Sequence, residues 1–135
     1  MLPRLAEVAV DGRCPCGTGR PYAACCGPFV QDGVLAPTAQ ELMRSRYTAY
    51  ALHHGDHLFR TWHPSTRPTD TDPDPAVQWV SLRILDVVDG GPADDQGIVE
   101  FIAAWRSTSQ EGITHERSRF QRRAGRWFYV DGTLS

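Results

Sequence analysis

Three features of the sequence predict an α+β fold, with helices packed on one curved antiparallel sheet and a small metal-bound knuckle ahead of them. All four cysteines lie between Cys14 and Cys26. A capped helical stretch follows near residues 38–52, and from residue 79 the chain reads as four strands parted by hairpin signals. With 135 residues, 41% of them hydrophobic and 22% charged, the chain has the size and composition of one globular domain plus a small module. The boundaries that follow are 1–33 for the metal module and 34–135 for the α+β domain.

The cysteines occupy Cys14-Pro15-Cys16 and Cys25-Cys26, with Gly17, Gly19 and Gly27 between or beside them. Thiols clustered so tightly in a reducing compartment point to a metal rather than to disulfides. Four thiolates close a tetrahedral shell, which suits a structural zinc and leaves no position for water or substrate. Cys14, Cys16, Cys25 and Cys26 are therefore the expected zinc ligands. So small a knuckle has little core of its own, and its folding energy should come from the metal.

Thr38 and Glu41 form a capping box that starts a helix through Leu52. Met43, Tyr47 and Tyr50 recur on one stripe of it, beside Leu42 and Ala49. Gly55 should break the helix before a short second one, Asp56 to Thr61. Residues 64–77 hold four prolines and predict an irregular loop. The Asp70, Asp72 and Asp74 alternation fails as a calcium loop, because Pro75 stands where glycine is needed and Ser81 where glutamate is needed. The strands are read as Trp79–Val88, Ile98–Arg106, Thr114–Arg122 and Arg126–Asp131.

Net charge is −2, which disfavours general nucleic-acid binding outside a ribosomal context. Five arginines outnumber Glu116 and Asp131 in residues 112–135, whereas acids outnumber arginines in residues 78–111. Adjacent strands of opposite sign predict cross-strand ion pairs. The opening decapeptide carries Glu7 within its apolar run and reads as no secretory signal, and no stretch is long enough to cross a bilayer. A cytoplasmic location, away from membranes, is the expectation.

Cys-Pro-Cys-Gly-Thr-Gly-Arg-Pro-Tyr at 14–22, followed by Cys25-Cys26-Gly27, resembles the SEC-C motif, the zinc-binding module of the C-terminal tail of the SecA translocation ATPase. The resemblance implies the same four cysteine ligands. It also implies a protein or ribosomal partner met through the knuckle, with Arg13, Arg20 and Tyr22 as contact residues. Leu42-Met43-Arg44-Ser45-Arg46-Tyr47, Thr61 to Pro68 and His115-Glu116-Arg117-Ser118-Arg119-Phe120 together resemble the YchJ-like family, and through it the nuclear transport factor two superfamily. That implies a cone of helices closed by a bent sheet, lacking here the second cysteine cluster of longer members. Superfamily relatives pair through the exposed sheet face, so a homodimer is a further expectation.

The function read from these features is a non-catalytic binding or adaptor protein that uses a structural zinc knuckle. The alternative is a small-molecule enzyme of the lyase or isomerase type, or a ligand binder, with its site in the cone. Arg46, Tyr47, Tyr50, Trp62, His63, Arg67, Glu116, Ser118 and Trp127 are the candidate pocket residues. Asp56, His63, Glu116 and Tyr129 are the candidate acid–base groups. Two structural roles compete with these: Arg46 pairing with Glu116 across the helix–sheet interface, and Trp62-His63-Pro64 anchoring the long loop. His53 and His57, four apart, could share a metal but lack a third ligand.

Overall fold

The computed structural model describes residues 12–135, so the opening segment, on which the signal-peptide reading falls, lies outside the described residues. After a 3-10 turn at Tyr22–Ala24 come three helices: α1 (Gly27–Asp32), α2 (Ala39–Ala51) and α3 (Gly55–Thr61). Four strands follow: β1 (Gln78–Asp89), β2 (Gln96–Arg106), β3 (Glu111–Arg123) and β4 (Arg126–Leu134). They pair antiparallel in the order β1-β2-β3-β4, an uninterrupted meander. Residues 64–77 contain no regular element, as their prolines dictate.

Helix α2 starts where its sequence says it should. Thr38 has extended backbone, its Oγ1 accepts from the Glu41 N–H at 3.1 Å, and its hydroxyl donates to the Glu41 carboxylate at 2.9 Å. The glutamate thus satisfies the cap hydroxyl, a local variant of the capping box. Immediately ahead, the Ala39 N–H donates to Gly90 O at 2.9 Å and ties the helix start to the β1–β2 turn. Gly90 sits at φ +78, and a side chain there would strike the Ala39 methyl. Glycine is required at that position by both conformation and space.

The apolar stripe of α2 turns out wider than a simple amphipathic helix needs. Ser45, Arg46 and Thr48 are buried along with Leu42, Met43, Tyr47 and Ala49. The reason is that α2 is covered from several sides: by the cysteine knuckle and α1, by α3, and by the concave face of the sheet. The four cysteines share one continuous core with Val30, Leu42, Tyr47, Val99, Phe101 and Trp127. The knuckle and the α+β domain are thus packed together.

The sheet presents two chemically distinct faces. Val99, Phe101 and Ala103 point inward and are buried. On the outer face Arg117 bridges Asp86 (3.0 Å) and Glu100 (2.7 Å), His115 meets Glu100 (2.6 Å), and Arg119 meets Asp131 (2.6 Å). The contacts of His115 and Arg117 are the cross-strand pairs that the opposed charges predicted, whereas Arg119–Asp131 joins two strands of the basic segment. Irregularities at Trp79/Ser81, Ile84/Asp86 and Arg119/Phe120 bend the strands around the helices.

The loop after α3 is pinned to β4. Trp62 bridges Tyr129, the His63 N–H donates to Tyr129 O at 2.8 Å, and the Thr66 hydroxyl donates to Val130 O at 2.6 Å. The anchoring role foreseen for Trp62-His63-Pro64 is the one observed.

Beneath α2, the Ser45 hydroxyl donates to Leu42 O (2.8 Å) and lies 2.9 Å from His57 Nε2. With that hydroxyl proton committed, Nε2 must carry the ring proton, and Nδ1 is left buried without a partner among the described residues. Burial holds the His57 ring down to about 3, because a charged imidazolium there would lose its water.

Two outcomes follow from this packing. Gly90→Ala should cost about 1–3 kcal/mol in urea unfolding, from the left-handed backbone alone, and Thr38→Ala about 1 kcal/mol from the lost cap. Below about pH 6.5 the unfolded chain takes up a proton at His57 that the folded chain refuses down to about pH 3. Stability must therefore fall with acid in that window, by up to about 1.4 kcal/mol per pH unit. His57→Gln should show a shallower slope than the parent in urea titrations at pH 7 and pH 5, which separates this effect from acid loss of metal.

Candidate metal centre and cone cavity

The metal-binding turn is built by its own backbone. The Cys14 N–H donates to Arg20 O at 2.9 Å, and the Gly17 N–H to Cys14 O at 3.2 Å, closing a tight loop through Gly17 and Gly19. Both glycines have positive φ, at +88 and +83, which brings Cys14 and Cys16 round to face the second pair. Cys25 and Cys26 follow the 3-10 turn and lead into α1, where Cys26 is the residue before the first helical position.

The four sulfurs all lie within 4.8 Å of one another, and Cys16 and Cys25 are 3.6 Å apart. A tetrahedron with zinc–sulfur bonds of about 2.3 Å has edges of about 3.8 Å. The donor set could therefore hold a metal ion and is compatible with zinc. All four cysteines are buried. Without a cation their thiols work against each other. Cys14 is pushed up to about 11, first by the hydrogen bond it gives to Cys16, while the same bond holds Cys16 far below the usual thiol range. Cys26 is driven far above it, again by hydrogen bonds to Cys14 and Cys16. A divalent cation would resolve that competition by taking all four as thiolates.

The surroundings supply the outer contacts that orient thiolate ligands. The Thr18 hydroxyl lies 3.2 Å from Cys25 Sγ, and Arg20 Nη2 donates to the same sulfur at 3.8 Å. From α2, Arg44 donates to Cys16 O at 2.8 Å, and Thr48 Oγ1 lies 3.7 Å from Cys14 Sγ. Arg13 is exposed and Tyr22 half-buried, its hydroxyl accepting from Gln31 at 3.2 Å. His53 and His57 do not join a metal group: the helix breaks between them, and His57 is committed to Ser45. Among the described residues, the four cysteines form the one group placed to hold a metal.

On the far side of α2 lies a cavity of about 210 Å³ between the helix and the sheet. Of the candidate pocket residues, Arg46, Tyr47, Tyr50, Trp62, Glu116 and Ser118 line it, and so does Tyr129. Its walls also include Trp79, Phe101, Thr114 and Phe120. These were missed as pocket residues, although the alternation of β2 already put Phe101 on the inner face. Tyr47 and Tyr50 both meet the Trp79 ring edge-on, at 6.3 and 6.0 Å between centroids.

Arg46 is 5% exposed, and its guanidinium lies 4.8 Å from the Trp62 ring centroid and 4.6 Å from that of Tyr129, two rings that meet each other edge-on. Its Nη1 donates to Thr61 Oγ1 at 2.7 Å and to Leu58 O at 3.2 Å. No ion pair joins it to Glu116, contrary to the pairing weighed from the sequence, because the two aromatic rings and the Thr61 and Leu58 oxygens hold it elsewhere. Glu116 Oε2 instead accepts from the Tyr129 hydroxyl (2.7 Å) and the Ser118 hydroxyl (2.8 Å). Gly132 makes room for that carboxylate, since a Cβ there would collide with it. Burial pushes the Tyr129 phenol up, so it remains a proton donor.

Four candidates lie outside the cavity wall. His63 is buried against Phe128 and accepts at Nδ1 from Ser65, because its backbone is bound to β4. Arg67 lies over Phe59, 3.8 Å from the ring centroid, as part of the same loop anchor. Trp127 is buried at the other end of the cone, donating to Pro37 O at 3.2 Å. Asp56 is exposed in the first turn of α3. Of the four acid–base candidates, only Glu116 and Tyr129 are brought together.

No helix among the described residues is long and apolar enough to cross a membrane. The profile of the SEC-C motif matches residues 13–28, and that of the YchJ middle, NTF2-like domain matches residues 38–132. A UPF0225 protein of Streptomyces coelicolor is 48% identical over 119 residues, covering 88% of this chain and 93% of that one. Another from Chromobacterium violaceum is 47% identical over 126 residues, covering 90% and 93%. Among solved structures, a SEC-C motif containing protein from Rhodopseudomonas palustris superposes with a TM-score of 0.78 at 35% identity, covering 91% of this chain and 98% of that one. One from Psychrobacter arcticus gives 0.71 at 26% identity, covering 90% and 82%. A knuckle of four cysteines followed by a helix-covered meander is thus a shared architecture, and the chain belongs to the YchJ family of UPF0225 proteins.

Proposed function

We propose that this chain is a zinc-stabilised, non-catalytic binding protein, in which a structural metal fixes helix α2 and thereby the shape of the cone cavity behind it. The observation that carries this reading is the position of α2. Thr48 touches the Cys14 sulfur at 3.7 Å, and the neighbouring Tyr47 forms part of the cavity wall. One short helix therefore serves both sites. Four sulfur ligands leave the metal no open position, so its contribution is to stability and geometry. The cavity, with aromatic walls and a few polar groups, is the kind of place that receives a small molecule.

A second reading, an adaptor for a protein or ribosomal partner, is favoured by the surface beside the knuckle. Arg13 is exposed there, and Val34 and Leu35, just past α1, are 51% and 53% exposed. Exposed apolar side chains beside a cation suit a protein or ribonucleoprotein contact. Co-sedimentation with purified ribosomes, lost on Arg13→Glu with Leu35→Ser, would support this role. Absence of the parent chain from the ribosomal pellet would remove the ribosomal form of it.

Elemental analysis should find one zinc per chain in the parent, and far less in Cys26→Ser. Structural zinc in comparable knuckles contributes on the order of 10 kcal/mol of apparent folding free energy, so a strong chelator should unfold the knuckle. It should also shift the Trp79 indole N–H resonance, because Tyr47 carries the disturbance across α2. A Trp79 signal indifferent to metal removal would sink the proposed coupling.

A further inference from the structure

The Arg46 guanidinium has five N–H donors in a planar fork. Two hydrogen bonds leave from Nη1, to Leu58 O and Thr61 Oγ1. The Nε and Nη2 donors have no acceptor among the described residues, and Arg46 is 5% exposed and lines the cavity. The rings of Trp62 and Tyr129, edge-on to each other with centroids 5.2 Å apart, both lie against the guanidinium from one side, and its Nε/Nη2 edge is left unpaired. A free Nε/Nη2 edge is the half of arginine that matches a carboxylate in bidentate fashion.

Glu116, also on the cavity wall, is half satisfied in the same way. Its Oε2 accepts from Tyr129 and Ser118, while Oε1 has no partner among the described residues. The cavity thus contains an unmatched donor edge and an unmatched acceptor, separated by more than an ion-pair distance. Aromatic side chains, including Tyr50 and Phe101, line the same cavity. Groups of this kind are costly to bury and leave unpaired.

From this arrangement we infer that the cavity binds a small organic monocarboxylate with an apolar, planar body and a hydrogen-bond donor such as a hydroxyl at its far end. The carboxylate lies along the Arg46 edge, the body rests among the aromatic rings, and the donor reaches Glu116 Oε1. Size agrees with this, since a cavity of about 210 Å³ falls below the range of about 300–1,000 Å³ that receives drug-sized ligands and so suits a smaller one. Charge argues against a phosphate. The wall already carries one guanidinium and one carboxylate, so a monoanion adds a single negative charge, whereas a phosphate dianion would face Glu116 with only one cation to offset it. The inference rests on the reading of the cavity as a binding chamber and narrows it to one ligand chemistry.

The test is a titration of the zinc-loaded full chain with 4-hydroxybenzoate, benzoate, benzamide and phenyl phosphate, followed by indole and backbone resonances of Trp62, Trp79 and Phe101. 4-Hydroxybenzoate should bind tightest. Benzamide should be weaker than benzoate by about tenfold or more, the effect of losing a charged hydrogen bond. Arg46→Met should erase the difference between benzoate and benzamide. Because that variant removes the bonds to Thr61 and Leu58 and could misfold, Glu116→Gln provides an independent arm. It should leave the benzoate-over-benzamide preference intact and reduce the gain from the 4-hydroxyl. If benzamide binds as well as benzoate, or phenyl phosphate binds better, the cavity still binds ligands but the carboxylate inference is overturned. If none of the four probes moves the cavity resonances of the folded, metal-loaded chain, the binding-chamber reading falls as well.

Discussion

Arg46 carries a full positive charge at 5% exposure in the middle of a helix, and a large part of the fold answers the cost of placing it there. Among the described residues no acidic side chain is within ion-pair reach of it, so compensation comes from aromatic rings and neutral oxygens. Trp62 and Tyr129 flank the guanidinium, and Leu58 O and Thr61 Oγ1 accept from it. For both rings to be present, the chain leaving α3 must run beside β4, as the Trp62–Tyr129 bridge and the His63–Tyr129 hydrogen bond ensure. The buried cation therefore explains why an irregular, proline-rich loop begins with so firm an anchor. Burial lowers the proton affinity of the guanidinium, yet arginine starts from so high a value that it stays charged near neutral pH.

The cysteine knuckle solves a complementary problem. Helix α2 is 13 residues long and carries Ser45, Arg46, Thr48 and Tyr47 in a row on its buried surfaces. A helix with so many buried polar groups gains little from apolar burial on any one face, so its position must be fixed by partners on each side. The sheet and α3 provide two of these sides. The third is the sulfur cluster, reached through Arg44 and Thr48. Four thiols joined only by weak sulfur hydrogen bonds make a poor wall, and a cation that took them as thiolates would make it rigid. In the proposed function, a metal held there would act on the cone through helix α2, which both the cysteines and the cavity touch.

Much of this was legible in the sequence, and the failures have physical causes. The cap at Thr38, the four strands and the inward alternation of Val99, Phe101 and Ala103 follow from local chemistry, and the structure has them with strand ends shifted by at most three residues. The cysteine group was legible because thiol spacing is a constraint on the chain itself. Pocket membership was harder, since it depends on how strands bend. Trp127 and Tyr129 share a strand face in regular register, yet Tyr129 reaches the cavity while Trp127 donates to Pro37 O, since each meets a different part of the chain packed over the sheet. The expected Arg46–Glu116 pair failed for a related reason: opposite charges on facing elements pair only if nothing better intervenes, and two aromatic rings did.

Whether a cavity with a carboxylate and a phenol performs chemistry turns on what else is within reach. Acid–base turnover needs one group to take a proton and another to give one, at opposite ends of a reacting bond. Here Tyr129 and Ser118 both spend their hydroxyl protons on the same oxygen of Glu116. The histidines that might have supplied a second titrating group are occupied elsewhere: His63 with Ser65, His57 with Ser45, and His115 with Glu100 on the outer face. Asp56 lies at the surface. The donor and acceptor that remain free in the cavity, the Arg46 edge and Glu116 Oε1, are both suited to holding a ligand by charge and hydrogen bonds. A permanently charged guanidinium orients a substrate well and exchanges protons poorly. The balance of groups in the cone thus favours recognition over turnover.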